Sequence, residues 1–194
     1  MPDQVRFTET MTGWVGPGDD PVVGEAAGRA SGGASFFTLT VVCTDVAAMV
    51  EDPDHRSPAF GCVALPAIHA TPMAVTRGRL DLFVDAGPGR LEMRYGLDMV
   101  DVHGARWRLD GVKRVGRRRW FPTVLTDTTT LYVHVREVEG PRRLAGVLYM
   151  GPGAVLAQGS TFRGRGGFFG SRAILLFMRY YVASVVRCYM SRAM

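Results

Sequence analysis

Two charged residues carry the strongest chemical signal in this chain, because each falls in phase with apolar neighbours. Glu9 shares its strand face with Phe7 and Met11, and Lys113 shares its face with Trp107, Leu109 and Val115. Lys113 is also the sole lysine among 23 basic residues. If those faces point inward, each places a charge in an apolar interior, where it must find a partner or change its protonation. Two roles are open to such a pair. One is a structural ion pair; the other is an acid and a base facing a bound ligand, tuned by burial.

A second set of residues has the right type to surround an apolar ligand. Phe37, Leu82, Met93, Tyr95, Trp107, Trp120 and Leu131, with Met11, are spread over many segments. Each is an ordinary core residue by itself, and together they can line a pocket for a bulky apolar molecule. The run Asp127-Thr128-Thr129-Thr130-Leu131-Tyr132-Val133 adds hydroxyls, and Thr129 or Tyr132 is the candidate there for a substrate hydrogen bond. Glu9 and Lys113 are therefore the candidate catalytic pair, and the residues above are the candidate substrate-binding set.

The usual catalytic and cofactor motifs do not occur. There is no nucleophile elbow, phosphate loop or zinc-binding helix motif. The glycines at 164, 166, 167 and 170 miss dinucleotide spacing, and the four histidines lie in separate segments without ligand spacing. The expectation is no cofactor and no metal.

The elements that must position these residues are strands. Between Arg90 and Asp101, Leu91, Met93, Tyr95, Leu97 and Met99 alternate with Glu92, Arg94, Gly96 and Asp98. Such alternation buries one face of a sheet. Similar segments recur at Arg6–Val15, Ser35–Thr44, Ala59–Leu65, Met73–Asp85, Ala105–Val115, Thr128–Val138 and Arg143–Met150, with a bulge expected at Gly78. About eight strands suffice to close a small barrel whose buried face surrounds a lumen. The predicted class is mainly β: a single antiparallel, calycin-like barrel over residues 1–150, with a short helix at Val46–Glu51 capped by Asp45.

Gly16–Gly33 reads as a loop and 151–170 as a Gly-rich connector. Residues 171–194 hold a helix, capped by Ser171, that packs on the barrel. Its stripe of Arg172, Arg179 and Arg187 argues against a transmembrane span. Contact with a membrane surface through this helix is the lesser alternative.

The chain of 194 residues has a formal charge of +5, carried almost wholly by arginine. The cluster at Arg117–Arg119 sits between two strands, where a solvated hairpin tip accounts for it, and no nucleic-acid-binding fold accompanies it. Three widely spaced cysteines and an N-terminus without a basic-then-apolar leader point to the cytoplasm. The expected partner is a bulky hydrophobic small molecule. A homodimer is compatible with the sequence, and no nucleic acid is expected.

Phe7-Thr8-Glu9-Thr10-Met11-Thr12-Gly13 resembles the opening of a β-rich domain of long bacterial oxidoreductases of the glucose–methanol–choline, cholesterol-oxidase-like group. The resemblance continues through Asp52-Pro53-Asp54-His55, Leu82-Phe83-Val84-Asp85, Gly111-Val112-Lys113 and Asp127–Val133. It implies a domain that accompanies enzymes of sterols and other lipids, with no catalytic residues of its own and no flavin site. One departure is the stretch 121–126 between Trp120 and the threonine run, which looks like an insertion. A stand-alone copy must bind a ligand or perform chemistry without a cofactor. The sequence therefore supports two functions: a cofactor-free cyclase or isomerase of a polyketide, terpenoid or lipid, or a non-catalytic lipid-binding or oxidoreductase-accessory protein.

Overall fold

The computed structural model describes residues 3–116, 123–165 and 172–190. Eight antiparallel strands follow one another in chain order: β1 (Val5–Pro17), β2 (Ser35–Cys43), β3 (Arg56–Ala64), β4 (Met73–Asp85), β5 (Leu91–Val100), β6 (Arg106–Val115), β7 (Thr130–Glu137) and β8 (Arg143–Tyr149). β1 pairs with both β2 and β8, so the sheet closes into a barrel. The expected antiparallel barrel of about eight strands is thus the fold. Inward positions alternate along β1 and β6: Val5, Phe7, Glu9, Met11 and Val15 are buried on β1, and Trp107, Leu109, Lys113 and Val115 on β6.

Closure is uneven on one side. β1 pairs with β8 only over Thr12–Pro17, and a two-residue strand, β9 (Arg163–Gly164), pairs with Val5 and Arg6. Between them, the outer edge of β1 from Phe7 to Met11 meets no strand among the described residues. A helix packs there instead. It runs over Pro152–Thr161, and the Thr161 hydroxyl accepts from the Thr8 amide at 2.8 Å, its own proton lying between the Gln158 carbonyl at 2.7 Å and the Thr8 carbonyl at 3.2 Å. These bonds satisfy backbone groups that an unpaired edge would leave open.

Two Gly-rich stretches expected to be irregular contain helices. The first is α1 (Pro21–Ala30), within the predicted loop 16–33. Asp20 caps it by accepting from the amides of Val22 and Val23, and Pro21 occupies the first turn. Its glycines let it lie on the barrel wall: a Cβ on Gly24 would stand 2.1 Å from the Ala145 carbonyl oxygen. The second is the Pro152–Thr161 helix, within the predicted connector. The short helix α2 (Val46–Glu51) is as expected, and α3 (Thr123–Thr129) takes the first threonines of the predicted Thr128–Val138 strand. In chain order Pro152–Thr161 is α4, and the C-terminal helix, α5, covers Arg172–Met190.

An alanine at Gly24 would ordinarily strengthen a helix by about 1 kcal/mol. Here the clash with Ala145 reverses the sign. Gly24→Ala is expected to lower stability by about 1–3 kcal/mol, read as a lower thermal midpoint. A rise in the midpoint would show that α1 does not sit this close to the wall.

The barrel end formed by the starts of β1, β5 and β7 and the ends of β4, β6 and β8 lies beneath α5. Ala173, Phe177, Ser184 and Cys188 of α5 are buried at helical spacing. Tyr180 donates to the Leu82 carbonyl at 3.0 Å, and Tyr189 donates to Asp127 at 2.7 Å. No helix among the described residues is long and apolar enough to cross a membrane.

On the β5 side Gly78 pairs in register with Leu97, but on the β3 side the register shifts between Arg79 and Ala74, an interval that contains Gly78. The β4–β5 register shifts between Val75 and Arg77 and again between Asp81 and Val84. At the second, Phe83 has φ of 52°, an uncommon conformation for a large side chain. The bulge breaks alternation, so Leu82, Phe83 and Val84 are all buried. Leu82 turns into the barrel, while Phe83 packs edge-on against Tyr181 of α5, 4.8 Å between ring centroids.

Candidate functional site: a cavity floored by a buried ion pair

Glu9 and Lys113 meet. β1 and β6 lie on opposite sides of the barrel, so their contact spans the lumen. Lys113 Nζ donates to Glu9 Oε1, and both residues are 2% exposed. Tyr95, on β5 beside Lys113's strand, donates its hydroxyl to Glu9 Oε2 at 2.9 Å. Both carboxylate oxygens are therefore engaged. The Lys113 ammonium also lies 5.3 Å from the centre of the Tyr95 ring. Such mutual satisfaction is what makes a buried ion pair tolerable.

This bridge divides the interior. On the side toward the far barrel end, Met11, Phe37, Leu97 and Leu109 are fully buried in the lumen. On the α5 side there is a cavity of about 770 Å³, within the range of small-molecule sites. Phe7, Leu80, Leu82 and Met93 form its walls, with Glu9, Tyr95 and Lys113 as the floor. α4 contributes Val155 and Gln158, Phe162 follows at its C-terminal end, and α5 covers the cavity with Phe177, Tyr181 and Val185. Phe7, Phe162 and Phe177 form one aromatic cluster, with Phe7 and Phe162 stacked at 4.9 Å. The rim is apolar too: Met178, Val182 and Val186 line the cavity yet are 40%, 52% and 40% exposed.

Of the sequence candidates, Glu9, Lys113, Leu82, Met93, Tyr95 and Thr129 line this cavity. Met11, Phe37, Trp107 and Leu131 do not. All four point inward and are fully buried, but they belong to the packed core. Met11, Phe37 and Trp107 lie beyond the ionic floor, and Leu131 packs over Gly111, filling the space a side chain there would need. Trp120 lies outside the described residues, as do the Arg117–Arg119 cluster, Ser171 and residues 121–122 of the 121–126 stretch. Sequence reasoning missed Phe7, Thr128, Tyr181 and the α4 contribution.

Burial, with the Glu9 charge alongside, holds the Tyr95 phenol well above its ordinary pKa. Burial first and Glu9 second push Tyr181 up to about 12, and burial also takes Tyr180 to about 12. These phenols stay protonated as donors at neutral pH. Unfolded tyrosines titrate near 10, so between pH 10 and 12 the native state binds more protons than the unfolded state. Stability is then full below pH 10 and falls as pH rises through that window. Thermal melts at pH 9 and pH 11 should show a lower midpoint at pH 11, with tyrosinate absorbance rising further on unfolding. Complete tyrosine ionisation in the native protein at pH 11 would contradict the burial of this cluster.

Three free cysteines, Cys43, Cys62 and Cys188, form no disulfide, and no group of metal-binding side chains gathers among the described residues. Compared with known proteins, the chain matches no family model, no curated protein and no solved structure.

Proposed function

We propose that this protein is a cofactor-free cyclase or isomerase that folds a bulky apolar metabolite, of polyketide, terpenoid or lipid type, inside its lumen. The observation that carries the reading is the Glu9–Tyr95–Lys113 cluster on the floor of an otherwise apolar cavity. Held against these walls, a flexible chain loses the conformational freedom that makes ring closure slow in solution. Lys113 has three N–H donors and spends one on Glu9. The others can polarise a carbonyl conjugated to the reacting alkene. Glu9 and Tyr95 fix the ammonium so that it need not reorganise as charge develops. Ring closure of this kind rearranges bonds within one molecule, so substrate and product have the same mass and no co-reactant is consumed. The free cysteines support a location in the reducing cytoplasm.

The test is incubation with linear polyenes that carry a conjugated diene, a second alkene and a 1,3-dicarbonyl end. Chromatography with mass detection should reveal a product of unchanged mass and altered retention, formed faster than in buffer. The Glu9→Gln/Lys113→Met double variant, which removes both charges together, should lose most of the acceleration. Binding without conversion across the panel would overturn the enzyme reading. It would favour a carrier or accessory protein, a second reading supported by the exposed apolar rim at Met178, Val182 and Val186.

A further inference from the structure

The cavity's charge inventory constrains what its ligand looks like. Among the described residues its lining holds one cation, Lys113, and one anion, Glu9, already joined to each other. The remaining polar groups are neutral: hydroxyls of Tyr95, Tyr181, Thr128 and Thr129, and the Gln158 amide. Tyr95 has committed its proton to Glu9, so the Lys113 ammonium holds the donors on the floor that remain for a ligand. A ligand anion would bring uncompensated charge to a floor whose cation, the one in the lining among the described residues, is already paired with Glu9, and burying such a charge is costly. A pure hydrocarbon would leave the remaining ammonium donors without acceptors. A neutral oxygen acceptor meets both conditions.

We infer that the ligand is a neutral amphiphile whose carbonyl oxygen rests on Lys113 and whose hydrocarbon body extends past Met93 and Leu82 to the α5 rim. The inference rests on reading the cavity as a ligand site and holds whether the ligand is converted or only held. The floor selects the head group, and the walls select a long apolar body. Gln158 and Thr129 lie elsewhere in the lining, Gln158 on α4 and Thr129 at the end of α3, and offer hydrogen bonds to a second polar group along the body.

The experiment is competition against N-phenyl-1-naphthylamine, a neutral dye that fluoresces in apolar surroundings. The competitors are hexadecane, the matching methyl ketone and palmitate, all at pH 8. The ketone should displace the dye at concentrations about tenfold lower than either of the others, as expected for a hydrogen bond to a charged donor. In the Glu9→Gln/Lys113→Met variant the dye should still bind, and the ketone should lose its advantage over hexadecane. Equal displacement by ketone and hexadecane in the wild type, or preference for palmitate, would overturn the inference while leaving the cavity as a binding site. A ketone preference that persists in the double variant would overturn Lys113 as its origin. Failure of the dye to bind at all would overturn the cavity and the inference together. The cyclase reading fails separately, through absence of polyene conversion.

Discussion

Glu9→Gln is expected to destabilise the protein by about 3–5 kcal/mol, because it strands a buried ammonium. The carboxamide keeps an oxygen for the Tyr95 hydroxyl but turns a neutral group toward Lys113, which has no other hydrogen-bond partner among the described residues. For a domain of this size the thermal midpoint should fall by roughly 10 °C. The companion experiment decides the cause. Adding Lys113→Met removes the stranded charge and fills much of the same space, so the double variant should recover more than half of the loss. If Glu9→Gln melts like the wild type, the two charges do not meet in the lumen. If the double variant is as unstable as the single one, the loss comes from repacking and not from an orphaned charge.

Phe177→Ala should cost about 3–5 kcal/mol as well, for a different reason. Phe177 is 1% exposed, and its ring lies 5.6 Å from Phe7 and 5.9 Å from Phe162. It therefore joins α5, β1 and the end of α4 through one cluster. Truncating it removes the apolar contact and enlarges the adjoining cavity, which the rigid barrel wall cannot collapse to fill. The effect should be local as well as global. Hydrogen exchange should accelerate in α5 and in α4, while β5 and β6 keep their protection. Uniform acceleration through the barrel would mean that α5 is part of the folding core and not a cover upon it.

Much of this site was legible in the alternation of the strands. Phase alone put Glu9 beside Phe7 and Met11 and put Lys113 beside Leu109 and Val115, and both do point inward. Phase says nothing of depth along the barrel axis. Met11, Phe37 and Trp107 share the inward phase but lie beyond the ion pair, in the packed half. Nor does phase show which strands face each other, and the Glu9–Lys113 contact exists because closure sets β1 opposite β6. The bulge at Asp81–Val84 has no signal in its residue types, so the burial of Phe83 under α5 was not foreseeable. The helix α1 was more accessible: Asp20 followed by Pro21 is a start signal, obscured by the glycines that its packing on Ala145 requires. α4 carried only part of such a signal, Pro152 in its first turn. Its start at Gly151 has no side-chain cap, and none of its residues is fully buried; Ala154 and Val155 pack partly against the core, and Thr161 bonds to the unpaired edge of β1.

The central claim is that an apolar ligand occupies the lumen above the Glu9–Lys113 floor. The competing location is the solvent side of α5, where Leu175 is exposed and the cavity's rim residues Met178, Val182 and Val186 also reach the surface. Titration of N-phenyl-1-naphthylamine into wild type and Met93→Trp separates the two. Met93 is buried in the cavity wall next to Lys113, so a tryptophan there fills the lumen and leaves that side untouched. A luminal site gives saturable fluorescence enhancement at one dye per chain in the wild type and its loss in a folded Met93→Trp protein. Equal enhancement in both proteins would place the ligand on the surface of α5 and contradict the account.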